Sequence, residues 1–162
     1  MSRLPSLGPR GEGWFVAQLA VLLAVGLAPS ADPWRSALAS PAALFAPLGW
    51  LIAACGGVVI LLAVMELQTH RAMSVLPRPR ADAELVETGP YARVRHPVYS
   101  GLALVGLGWA IAQGSPLTFL AVLGLVAVLY LKAMREEVWL VVRFPGYKAY
   151  QARTKRLIPG LL

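Results

Sequence analysis

Charged residues are missing from three long stretches of this chain, and polar segments punctuate what lies between them. Trp14–Ala31 runs uncharged for 18 residues, Ser36–Met65 for 30 and Pro97–Leu131 for 35. Crossing a hydrocarbon core of ~30 Å at ~1.5 Å per residue takes about 20 apolar helical residues. The first stretch therefore predicts a spanning helix. It also matches the outline of a cleavable signal peptide, with a positive start (Arg3, Arg10) and small residues at Ala28-Pro29-Ser30. In the second stretch Pro41 and Pro47 suit positions before or at the start of a helix, which predicts a span at about 46–68. Gly56-Gly57 in its middle removes side-chain bulk, so another helix can pack closely there. The third stretch is broken by Gly114-Ser115 ahead of Pro116, which predicts a tight hairpin of two helices, 97–113 and 116–131. Its second arm continues through Lys132 toward Val142. The expected fold is all-α: an integral membrane bundle of about four transmembrane helices, with a helical hairpin and a cytoplasmic C-terminal helix. One membrane domain is expected over 1–162: two N-terminal spans to residue 70, a cytoplasmic loop over 71–96, then the hairpin and tail over 97–162.

Composition agrees with a bilayer. Hydrophobic residues make up 57% of the chain and charged residues 14%, against about 25% charged in soluble domains. The net charge of +7 suggests nucleic acid until its distribution is read. With four spans, 14 of the 15 basic residues share one side and only Arg35 lies opposite. That bias predicts cytoplasmic termini and loops that touch anionic membrane lipids, not a nucleic-acid partner. The lone Cys55 and two histidines, His70 and His96, offer no visible zinc ligand set, so no metal is expected. Residues 72–90, with Pro77, Pro79, Asp82, Glu84 and Glu87, read as a surface loop long enough to fold over a site. Glu66, at the end of the second span, reads as a boundary charge or as a group facing a polar cavity.

Candidate chemistry concentrates in residues 89–101, GPYARVRHPVYSG, at the mouth of the third apolar stretch. Pro97 suits the first turn of a helix, which sets the free N–H groups of that turn beside His96 and Tyr99. An anionic group could settle there. One hairpin later come Arg135-Glu136-Glu137, then Phe144-Pro145-Gly146-Tyr147 and Tyr150, and then Arg156 ahead of Pro159. Each piece taken alone has a plainer reading: Glu136 pairs with Lys132 one turn earlier, and the tyrosines form an aromatic belt.

Together, GPY, RHPxYxG, the glutamate pair and the Phe–Gly–Tyr–Tyr tail resemble the signature of the isoprenylcysteine carboxyl methyltransferase family and its phospholipid methyltransferase relatives. The resemblance spans roughly residues 85–160, and the first two spans carry no motif. It implies a membrane enzyme that uses S-adenosylmethionine to methylate a lipophilic or prenylated acceptor. It also implies cofactor contacts from Tyr91, His96, Pro97, Val98, Tyr99, Tyr147 and Tyr150, and from Glu136 or Glu137. The family holds its substrate with an arginine one turn before the glutamate; here Lys132 stands four before Glu136, and Arg135 is adjacent to it. Lysine keeps the charge but not the planar fork that suits a carboxylate. Lys132, Arg135 and Glu136 are therefore the catalytic candidates. Two rival readings stand beside this one. A relative of the sterol reductases would bind NADPH through Arg93, Arg95, Arg153 and Arg156, and a non-catalytic membrane protein would keep the scaffold alone.

Overall fold

A computed structural model of the chain describes residues 5, 7–35, 39–74 and 84–160. Arg3 and the loop residues Pro77, Arg78, Pro79, Arg80 and Asp82 lie outside the described residues. Among the described residues five helices follow in order: α1 (Glu12–Ala31), α2 (Ala39–Thr69), α3 (Pro97–Gln113), α4 (Pro116–Arg143) and α5 (Tyr147–Arg153), with a 3₁₀ turn at Gly89–Ala92. Among the described residues there is no β-strand beyond one isolated bridge. The fold is a helical membrane bundle. α1, α2 and α4 are long and apolar enough to cross a membrane. α3 is apolar but has only 17 residues, about 25 Å of helix.

The hairpin forms where its punctuation predicts. Gly114 ends α3 in the left-handed conformation (φ 57°), which glycine adopts without a Cβ penalty. Ser115 then caps α4, its Oγ accepting from the Thr118 N–H at 3.1 Å. Asp32, just past α1, joins the same cap: its Oδ2 accepts from the Ser115 hydroxyl and from the Leu117 N–H at 3.0 Å. The Ser115 hydrogen bond, foremost, holds the Asp32 carboxyl below its ordinary range. The α1–α2 and α3–α4 connections thus lie at one end of the bundle, and residues 84–100 and the C-terminal tail lie at the other.

Two features differ from expectation. α2 starts at Ala39, not near 46, and carries Pro47 inside it. A proline costs one helical hydrogen bond and bends the axis but does not stop a membrane helix when neighbours compensate. α1 shows that compensation directly. Pro29 removes the partner of the Val25 carbonyl, and the Trp109 indole N–H of α3 donates to that oxygen at 3.2 Å.

α3 sits between α2 and α4, α1 packs on α4, and α1 and α2 scarcely meet. The α2–α3 seam is built on glycines seven residues apart in each helix. A Cβ at Gly56 would lie 2.7 Å from the Gly101 carbonyl oxygen and 2.8 Å from the Val105 nitrogen. One at Gly49 would lie 2.6 Å from the Gly108 carbonyl oxygen. Backbone therefore meets backbone along the seam, which small residues permit in membranes. Gly57, by contrast, faces open space. Gly56→Leu is expected to destabilise the bundle by about 1–3 kcal/mol through overpacking, lowering the thermal midpoint in detergent, while Gly57→Leu leaves it unchanged. Equal midpoints for the two variants would contradict the seam.

Candidate functional site

The site is assembled from the start of α3, the last turns of α4 and the tail that follows. Phe144 stops α4, and α5 turns the chain back toward residues 87–100. There the tail is stitched on by backbone hydrogen bonds. The Arg95 N–H donates to the Lys155 carbonyl at 2.8 Å and the His96 N–H to the Arg156 carbonyl at 3.1 Å. Side chains add to this: Tyr150 Oη donates to the Tyr91 carbonyl at 2.7 Å, Ser100 Oγ to the Leu157 carbonyl at 2.5 Å, and Arg153 pairs with Glu87 at 2.5 Å.

Glu137 is the electrostatic centre of that closure. Its side chain is 6% exposed. Arg95 Nε donates to Oε1 at 2.8 Å, Arg156 donates to both oxygens at 3.1 and 2.8 Å, and Gln151 Nε2 donates to Oε2 at 3.1 Å. A carboxylate so buried is tolerable only because its lone pairs are taken up by charged donors. The same pairing raises the Arg156 guanidinium above its ordinary range. The carboxylate thus ties together three segments: the approach to α3, the end of α4 and the tail.

Glu136, the next residue along α4, points elsewhere. It lines a cavity of about 220 Å³ bounded by α1, α2, α3, α4 and the tail, somewhat below the roughly 300–1,000 Å³ of a typical small-molecule pocket. Tyr99 Oη donates to Glu136 Oε2 at 2.8 Å. The His96 ring stacks on Tyr99, with centroids 5.2 Å apart, and stands between the two glutamates, 3.7 Å from Glu136 and 3.4 Å from Glu137. Among the described residues, buried Tyr147 Oη finds no hydrogen-bond partner, and buried His96 Nε2 has only its 3.4 Å approach to Glu137 Oε1. Burial, foremost, pushes the Tyr91, Tyr147 and Tyr150 phenols up, so all three stay neutral and serve as donors and aromatic faces rather than bases.

Of the residues singled out from sequence, Tyr91, Arg95, His96, Val98, Tyr99, Lys132, Glu136, Phe144, Tyr147 and Tyr150 line this cavity. Pro97 is fully buried at the helix start, and Glu137 and Arg135 do not line the cavity. Arg135 stacks on Trp139 at 4.5 Å. Lys132 is 3% exposed, and its Nζ donates to Gln18 Oε1 at 2.6 Å. Glu66 accepts from Thr88 Oγ1 and lies 3.5 Å from His70, beside the cavity but outside its lining. Phe15 and Gln18 of α1, Val64 and Leu67 of α2 and Leu140 of α4 also line it without having been flagged, and the loop after α2 adds Ala72, Met73, Ser74, Glu84, Leu85 and Val86. A polar residue inside an uncharged stretch was the available signal for Gln18.

The phospholipid methyltransferase family model matches residues 45–145, which takes in α2, α3 and α4 with the glutamate pair. The chain belongs to the phospholipid methyltransferase family. The match reaches into α2, where no motif is legible, and stops short of α5. A nickel-cobalt-cadmium resistance protein, NccN, of Alcaligenes xylosoxydans xylosoxydans is 40% identical over 86 residues, 51% of this chain and 39% of that protein. The chain thus matches well under half the length of that relative. No solved structure matches the chain. As a phospholipid methyltransferase family member with three helices of spanning length among the described residues, the protein is a membrane protein of a methyltransferase family.

Removing the charge of Glu137 leaves two guanidiniums without their partner. Glu137→Gln is expected to cost about 3–5 kcal/mol and to release the tail, read as faster proteolysis between Phe144 and Lys155. Wild-type protease resistance would contradict the role given to this carboxylate.

Proposed function

We propose that this protein is an S-adenosylmethionine-dependent methyltransferase of the membrane that acts on a lipophilic acceptor, a prenylcysteine-like carboxylate or another lipid-like small molecule. The observation that carries the reading is the division between the two glutamates: Glu137 is spent on arginines, and Glu136 is turned into the cavity beside Tyr99 and His96. The lining suits the cofactor. A carboxylate and aromatic faces (Glu136, Tyr91, Tyr99, Tyr147) match a sulfonium and an amino group. The buried Tyr147 Oη can take up a further polar group. When bound, S-adenosylmethionine supplies a methyl on sulfur that is open to in-line displacement.

In this reading Glu136 holds the cofactor's positive groups, Tyr99 fixes the Glu136 carboxylate by its hydrogen bond, and the tail with Tyr147 and Tyr150 excludes water. Lys132 orients the acceptor. Arg135, stacked on Trp139 away from the lining, takes no part. A carboxylate acceptor needs no base, so positioning and desolvation provide the rate. Of the four arginines of the NADPH reading, Arg95 lines the cavity but is engaged with Arg156 by Glu137, Arg153 is paired with Glu87, and Arg93, Arg153 and Arg156 do not line the cavity, which disfavours a phosphate-bearing cofactor.

Calorimetry on detergent-purified protein tests this. Wild type is expected to bind S-adenosylmethionine saturably and NADPH not at all. Glu136→Gln and His96→Ala are expected to lose about tenfold or more of that affinity, as for a charge-assisted contact, with the fold intact. Wild-type affinity in both variants, or NADPH binding alone, would overturn the assignment.

A further inference from the structure

Two covers close the cavity at this end of the bundle, and they are fastened in different ways. The tail is held by the buried carboxylate of Glu137, between Arg95 and Arg156. The other cover is the chain between α2 and α3, where Glu84, Leu85 and Val86 line the cavity. Val86 is buried in a small cluster with Ala63 and Tyr91, and Val98 packs against the same cluster. At both sides this strap is pinned by pairs that reach solvent. On the α2 side, His70 stands 3.6 Å from Glu84, whose side chain is 75% exposed, and Thr88 Oγ1 donates to Glu66. On the tail side, Glu87 pairs with Arg153 of α5, whose side chain is 55% exposed. Exposed ion pairs contribute little each and part readily, whereas breaking a buried pair is costly. The strap ends at Gly89, in the left-handed conformation (φ 57°), and the 3₁₀ turn beyond it is anchored by Tyr150 on the Tyr91 carbonyl. A glycine at such a junction can absorb the backbone change of a swinging segment.

We propose that residues 84–88 form a strap that opens at Gly89 to admit and release the cofactor while the tail stays docked. The identity of that cofactor rests on the methyltransferase reading. The cavity, at about 220 Å³, is smaller than the roughly 300–1,000 Å³ of a typical small-molecule pocket, so a ligand must displace part of a wall to enter. Opening the tail would strand a buried carboxylate and its two guanidiniums. Opening the strap parts solvent-reaching pairs and uncovers one valine. Glu84 also sets a carboxylate at the rim, where a net-cationic ligand arriving from water is attracted. Because the strap reaches from α2 to α5, it fastens on both sides only once the tail has docked.

The test uses the full chain in phosphatidylcholine nanodiscs and has two readouts. Without any cofactor, opening is read as the rate at which a charged, water-soluble maleimide modifies a Val98→Cys thiol, in a Cys55→Ala background. Glu87→Gln is expected to speed that modification about two- to fivefold, the scale of one exposed ion pair. His70→Ala, which frees the strap from α2 and leaves the Glu87–Arg153 pair in place, is expected to do the same. The charge swap Glu87→Arg with Arg153→Glu is expected to restore the slow rate. Surface plasmon resonance then follows S-adenosylmethionine on captured nanodiscs. In Glu87→Gln both association and dissociation are expected to rise by the same factor, so that Kd barely moves, as for a gate and not for a contact. No binding by wild type would sink the cofactor reading, while the thiol rates still decide the strap. Unchanged thiol rates in both single variants overturn the proposal, and so does a rise in Glu87→Gln alone, which would make the tail the moving cover.

Discussion

The buried carboxylate of Glu137 is the constraint on which the closed end of this bundle depends. Arg95 precedes α3 and Arg156 lies in the tail, and neither segment is held by a large apolar core of its own. Two guanidiniums converging on one carboxylate replace that core with charge-assisted hydrogen bonds. Because the pairing satisfies Glu137 so completely, its neighbour Glu136 is left to face the cavity. Structure and candidate chemistry are thereby assigned to adjacent residues of one helix.

The other end of the molecule obeys the same logic with smaller parts. Asp32 serves the N-terminus of α4, and Trp109 serves the carbonyl that Pro29 leaves open. In a membrane, backbone groups must find partners inside the protein, and here each is met by a side chain from a neighbouring helix. Between the two ends, the glycine seam draws α3 against α2, and α1 packs chiefly on α4 with a smaller contact to α3. The pocket occupies the space where α1 and α2 fail to close.

Much of this was legible in the residues. Gly114-Ser115-Pro116 marks the hairpin because each residue has a distinct backbone role, and α3 takes the bounds 97–113 that they imply. The run from Tyr91 to Tyr99 reads as a site because polar residues crowd the mouth of an apolar stretch, and the tail does fold back over it. α2 starts ahead of the position near Pro47 that the prolines imply, because a membrane helix accommodates a proline within it. Gly56 stood out beside Gly57, but Gly49, Gly101 and Gly108 gain meaning only when two helices are brought together. Adjacent glutamates could not be told apart, since neighbours on a helix point in different directions and the inward one is set by the tail. Gln18 has no periodic partner, and only Lys132, far along the chain, explains it.

The central claim is that the start of α3, the end of α4 and the tail form one cofactor pocket. Amide hydrogen–deuterium exchange with and without S-adenosylmethionine tests it most directly. The account predicts that the cofactor slows exchange together in residues 91–99, 132–140 and 144–151, with little change around the hairpin turn at 113–116. Uniform exchange in both conditions, or protection confined to the hairpin end, would contradict it.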